Sequence, residues 1–146
     1  MEVLRRGFRS PLAMVAAHRT PRPPISEGPV AARAGATAMV DTSDGLLADL
    51  GHIATASRVG IDVRSKLVPV ADKLRDVASA LGGDALRWAL TGGEDHSLVA
   101  CFPDEAAVPE GWTVFGDVRL GAGVRVDADR WGGAGDPGWR HWAKRS

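Results

Sequence analysis

The chain has one cysteine, no tyrosine, no excess of either charge and no long apolar run. With Cys101 alone no intramolecular disulfide can form, so the fold must stand on its core, and it suits a reducing, cytoplasmic setting. Metal sites built from several thiolates are excluded as well. Lys+Arg 18 against Asp+Glu 18 leaves no electrostatic reason for a nucleic-acid or anionic-membrane partner, since both need clustered cations to displace counterions. Arg5 and Arg6 stand before a short apolar stretch, Leu12 to Ala17, that His18 and Arg19 close. That stretch is shorter than a signal-peptide core and far shorter than a membrane span. A Walker-type phosphate loop, a nucleophile elbow, a zinc-protease helix motif and a protein-kinase signature are all missing. What is present is 146 residues, 45% of them hydrophobic, enough for one domain with a real core but short for a two-domain enzyme. Eighteen Gly and nine Pro recur with no period, which favours many tight turns over a solenoid or collagen.

Ser10 and Pro11 can open a short helix through Ala16, and Pro21, Pro23 and Pro24 then force an extended connector. Ser26 to Gly35 predicts a short helix, and Thr37 to Asp41 a buried strand ending on a carboxylate. From Ser43 the pattern is the most regular helix, with Leu46, Leu47, Leu50, Ile53 and Ala54 on one face, Ser43 or Asp44 as cap and Gly60 after the last turn. Ile61 to Val63 reads as a strand. Ala71 to Leu81 reads as a second amphipathic helix closed by Gly82, and Asp84 caps a third, shorter helix to Leu90. Strands follow at Ser97 to Phe102, Trp112 to Val118 and Val124 to Asp127, with Gly121–Gly123 as a hairpin turn. The order implies an α+β fold with a mixed, mainly antiparallel sheet packed with helices.

Two places can carry chemistry. In Asp41-Thr42-Ser43-Asp44-Gly45 a strand delivers two carboxylates to the mouth of a helix. Hard cations such as Mg²⁺ take such oxygens and share their coordination with phosphates, which the helix N-terminus also favours. The plainer alternative is that Ser43 and Asp44 only cap the helix while Asp41 ends a strand in solvent, and spacing does not choose between them. In Thr91-Gly92-Gly93-Glu94-Asp95-His96 glycines permit close backbone approach and the acids could hold a cationic ring or a metal-bound group. As a helix-to-strand turn the same residues need no function. His96 has no second His or Cys at metal spacing and reads as a strand residue. Trp139 and Trp142 lie in a polar, Gly-rich tail, where they either dock on the domain or stack on a flat ligand.

Three segments, Ala36 to Ile53, Leu90 to His96 and Gly138 to Trp142, together resemble the C-terminal half of the thiamine-monophosphate kinase family, and His18 to Pro24 is similar to the family's interdomain segment. The likeness covers essentially the whole chain. It implies residues 1–24 as interdomain helix and connector and 25–146 as the C-terminal domain of the architecture shared with aminoimidazole-ribotide synthetase. The implied activity moves the γ-phosphoryl of ATP to thiamine monophosphate with Mg²⁺, giving thiamine diphosphate. By the same resemblance Asp41 and Asp44 are Mg²⁺ ligands, Ser43 contacts ATP, and Glu94 and Trp139 contact the thiamine substrate. A thiazolium cation suits a carboxylate and an aromatic face. Phosphoryl transfer needs positioning more than a covalent group, so no catalytic base is assigned. Trp142 stands where the family usually has Phe. The N-terminal domain, which in the family carries most of the metal-binding acids, the nucleotide segments and the dimer surface, has no counterpart in these residues. The expectation is therefore a chain inactive without that domain or a split-gene partner, with its homodimer impaired. The alternatives are a non-catalytic thiamine-phosphate-binding remnant and another ATP-dependent member of the superfamily.

Overall fold

A computed structural model describes residues 23–93 and 96–130. The expected helix before Thr20 and the tail tryptophans lie outside them, as do Pro21 and Arg22 of the connector, Glu94 and Asp95. Among the described residues lie four helices, α1 (Glu27–Arg33), α2 (Leu46–Ser57), α3 (Asp72–Leu81) and α4 (Ala85–Thr91), and strands β1 (Ala38–Asp41), β2 (Val59–Val63), β3 (Leu98–Cys101), β4 (Gly116–Leu120), β5 (Gly123–Val126) and β6 (Asp129–Arg130), in the order α1-β1-α2-β2-α3-α4-β3-β4-β5-β6. The strands form two sheets. One is the antiparallel pair β1-β3, with Ala38 opposite Cys101 and Asp41 opposite Leu98. The other has the order β4-β2-β5-β6, in which only β2-β5 is parallel. The fold is α+β, and its sheets are mainly antiparallel.

Helix α2 organises the core. Its apolar face puts Leu47, Leu50, Ile53 and Ala54 at 7% exposure or less, against Ile61 and Val63 of β2, Leu90 of α4, Val99 of β3 and Val126 of β5. Each of the leucine, isoleucine and valine side chains contributes about 1.5–3 kcal/mol by leaving water, so this one face holds both sheets and α4 together. Where α2 ends, Arg58 takes the left-handed cap (φ 55°) that glycine usually fills, at a cost of about 1–2 kcal/mol. Gly60, expected as that terminator, lies inside β2. A Cβ there would sit in ordinary contact, 3.4 Å from the Arg119 side chain and 3.5 Å from the Ala122 nitrogen, so the crossing chain passes directly over Gly60.

That crossing corrects a second expectation. Gly121–Gly123 is no hairpin turn, because β4 and β5 lie on opposite sides of β2 and the turn passes over the start of β2. The pairing also sets Asp62 opposite Asp117, a like-charge contact that disfavours the register. Arg119 pairs with Asp62, and Arg64 donates to Asp117 at 3.0 Å, which offsets that repulsion. The strand expected from Trp112 begins only at Gly116. Trp112 instead meets Phe102 edge-on, with ring centres 6.0 Å apart, and donates from Nε1 to Glu27 at 3.3 Å.

Candidate functional site

Both sequence segments singled out for chemistry lie at one end of the β1-β3 pair. Strand β1 ends at Asp41, and the buried Thr42 continues its alignment with the other strand. The Thr42 N–H donates to the Ser97 carbonyl at 2.8 Å, and its carbonyl accepts the His96 N–H at 3.0 Å. The Thr42 hydroxyl accepts the Ser97 N–H at 3.1 Å and donates to the Ser97 carbonyl at 3.3 Å. His96 is not yet in the strand. It holds a left-handed backbone (φ 50°) just before β3, with Nδ1 3.7 Å from an Asp41 carboxylate oxygen. The sequence reading of His96 as a strand residue is corrected, because the chain turns there and sets the His96 imidazole beside Asp41.

Neither Ser43 nor Asp44 caps α2 with its side chain. The N-cap position is Gly45, at φ 121° and ψ 143°, a region that L side chains rarely enter. The capping group comes from inside the helix: Oδ2 of Asp49, one turn on, accepts the N–H groups of Asp44 and Gly45, each at 3.1 Å. Asp49 is 2% exposed, and burial pushes its carboxyl pKa upward, partly countered by those two bonds. The two amides that lead into α2 are therefore taken by a side chain of the protein itself.

The second segment leaves α4, where the Asp84 side chain caps the Arg87 N–H at 3.1 Å and Leu90 is buried at 1% exposure. The Gly92 N–H bonds the Trp88 carbonyl at 2.7 Å, and the chain then runs against the first segment. A Cβ on Gly45 would lie 3.0 Å from the Thr91 carbonyl oxygen, and one on Gly93 would lie 2.6 Å from that of Ser43. The two glycine-bearing turns thus pack backbone to backbone.

Among the described residues Asp44, Asp49 and His52 bring ligand atoms within 4.8 Å of one another, a trio the sequence reading did not single out. Its signal was visible, since Asp49 and His52 are three apart on a helix and Asp49 lies within an otherwise apolar stretch. Asp41 is not in that trio; its side chain is 53% exposed and faces His96. The carboxylates of Asp41 and Asp44 match the oxygen preference of Mg²⁺, whereas the imidazole of His52 does not. The structure thus places Asp41, Ser43 and Asp44 on one turn, while Glu94 and Trp139 lie outside the described residues.

No protein-family model matches the chain. The thiamine-monophosphate kinase of Mycobacterium tuberculosis is 49% identical to it over 129 residues, 87% of this chain. This chain is a relative of the thiamine-monophosphate kinases. The thiamine-monophosphate kinase of Corynebacterium glutamicum is 42% identical over 128 residues, again 87% of this chain. The chain spans 38% of the length of each of these two kinases. Among solved structures, AaThiL complexed with AMPPCP and TMP matches with TM-score 0.82 and 32% identity, covering 90% of this chain and 41% of that one. The thiamine monophosphate kinase of Aquifex aeolicus matches with TM-score 0.75 and 31% identity, covering 82% and 40%. No helix among the described residues is long and apolar enough to cross a membrane.

Proposed function

We propose that the chain is the C-terminal portion of an ATP- and Mg²⁺-dependent kinase that converts thiamine monophosphate to thiamine diphosphate in the cytoplasm. The observation that carries this reading is the backbone packing of residues 43–45 on 91–93, which unites a carboxylate-bearing turn with the turn leading to Glu94. In the reaction a phosphate oxygen of thiamine monophosphate takes the γ-phosphoryl group and ADP leaves. The protein's share is positioning and charge compensation rather than covalent chemistry.

Asp41 and Asp44 would hold Mg²⁺, which when bound neutralises charge building on the transferred phosphoryl oxygens. Ser43, between them, would contact ATP. Glu94 would face the thiazolium cation and Trp139 would offer it an aromatic face. AaThiL, 32% identical, was solved with AMPPCP, an ATP analogue, together with TMP, and that pairing supports the two substrates assigned here. The 38% span relative to the M. tuberculosis kinase supports a share of the site rather than all of it, with an N-terminal domain or a split-gene partner supplying the remainder and the main dimer surface.

Calorimetric titration of thiamine monophosphate into the purified chain, with and without Mg·ATP, tests this reading. Saturable heat that Glu94→Ala or Trp139→Ala abolishes is the expected result. Saturable heat that does not change when Mg·ATP is added favours a non-catalytic binding remnant, and no binding of either ligand overturns the reading.

A further inference from the structure

Asp49 is the only charged side chain buried among the described residues, and it sits where no apolar packing requires a carboxylate. A buried carboxylate persists when hydrogen-bond donors satisfy it, and here the donors are the two backbone amides that precede α2. Because one oxygen accepts both N–H groups, it fixes the peptide planes on either side of the Asp44 α-carbon. That in turn fixes where the Asp44 carboxylate points and where Gly45 meets the Thr91 carbonyl. Proximity alone offers a different role, since Asp49 also lies within 4.8 Å of ligand atoms on Asp44 and His52. Oδ2 is already engaged by two N–H donors, and a side chain only 2% exposed leaves Oδ1 little room for the water shell that Mg²⁺ keeps.

We propose that Asp49 is a positioning residue for the carboxylate turn, acting through the amides of Asp44 and Gly45, and is not itself a metal ligand. The inference rests on the functional reading above only in naming Mg²⁺ as the ion that Asp44 serves.

Asparagine separates the two roles, because its side-chain oxygen can accept both N–H groups but carries no charge to give a metal. Asp49→Asn and Asp49→Ala are compared with the full unsubstituted chain by amide hydrogen exchange without ligand, and by titration with Mg²⁺ in the presence of ATP. The expected result is that Asp49→Asn keeps the slow exchange of the Asp44 and Gly45 amides and Mg²⁺ affinity within about threefold. Asp49→Ala should lose both, with affinity down about 10–100-fold, as for loss of a group that orients a ligand. Should Asp49→Ala fail to fold, the asparagine variant alone decides. Slow exchange kept while Mg²⁺ affinity falls tenfold or more makes Asp49 a ligand and overturns the proposal, as does fast exchange at both amides in that variant. If the unsubstituted chain binds no Mg²⁺ with ATP, the functional reading fails, and exchange at Asp44 and Gly45 still decides whether Asp49 holds the turn.

Discussion

A β-carbon placed on Gly93 would lie 2.6 Å from the carbonyl oxygen of Ser43, closer than carbon and oxygen can approach without displacing the backbone. With the reciprocal contact of Gly45 on the Thr91 carbonyl, this makes the turn after β1 and the turn after α4 a single unit. A displacement of one turn is passed to the other, because the atoms in contact are backbone and have no rotamer to yield.

Alanine at either glycine should therefore be costly. Gly45→Ala forces a side chain into a φ of 121° and is expected to lose about 1–3 kcal/mol from backbone strain, with the clash at Thr91 added. Gly93→Ala is expected to destabilise through steric overlap alone. Gly51, inside α2, is the control, because a methyl group added there would meet nothing within 4 Å: Gly51→Ala should gain about 0.5–1 kcal/mol. Denaturant unfolding of the three variants checks this, and a neutral Gly93→Ala would show that the turns are not locked.

Leu90 ties the second turn to the core at 1% exposure, one residue before Thr91. Leu90→Ala should cost about 2–5 kcal/mol in the same unfolding experiment. Leu120, 95% exposed on β4, should tolerate Leu120→Ser within about 0.5 kcal/mol.

Asp127 supplies a pH signature away from the site. Bonds from the Ser65 side chain and backbone, the latter at 2.9 Å, hold its carboxyl pKa below the ordinary value. A lowered folded-state pKa gives stability that is present above the unfolded value of 3.8 and lost as pH falls through the lowered one. The difference in Tm between the unsubstituted chain and Asp127→Asn should accordingly shrink as pH drops below 3.8. A difference that is flat or growing over that interval would contradict the bond's role.

The 146-residue chain by itself is expected to give no steady ATP-dependent formation of thiamine diphosphate, since it spans 38% of the M. tuberculosis kinase it matches. Chromatographic assay of the product checks this, and sustained turnover by the purified chain would show that its own residues complete the site.

The helices were legible because their signals are local. Asp84 caps α4 and Gly82 closes α3 in the left-handed conformation, as their positions in the sequence imply. What escaped was set by tertiary contact. Asp49 reads as a helix acid until the turn before it folds back, and Arg58 takes a cap that spacing assigned to Gly60. Strands β4 and β5 look like a hairpin because only the insertion of β2 between them separates the pair. The hairpin β5-β6 went unseen because Asp127 and Ala128, at φ 52° and 70°, make the turn without glycine. Of the site, Asp41, Ser43 and Asp44 were legible as one motif, and its packing on the other turn was not.

The most direct test of the paired turns as one binding unit is amide chemical-shift mapping of the labelled chain, titrated separately with thiamine monophosphate and with Mg·AMPPCP. The expected result is that each ligand shifts amides in both 41–45 and 91–97. Shifts confined to residues 99–118, or no saturable shift with either ligand, would contradict it.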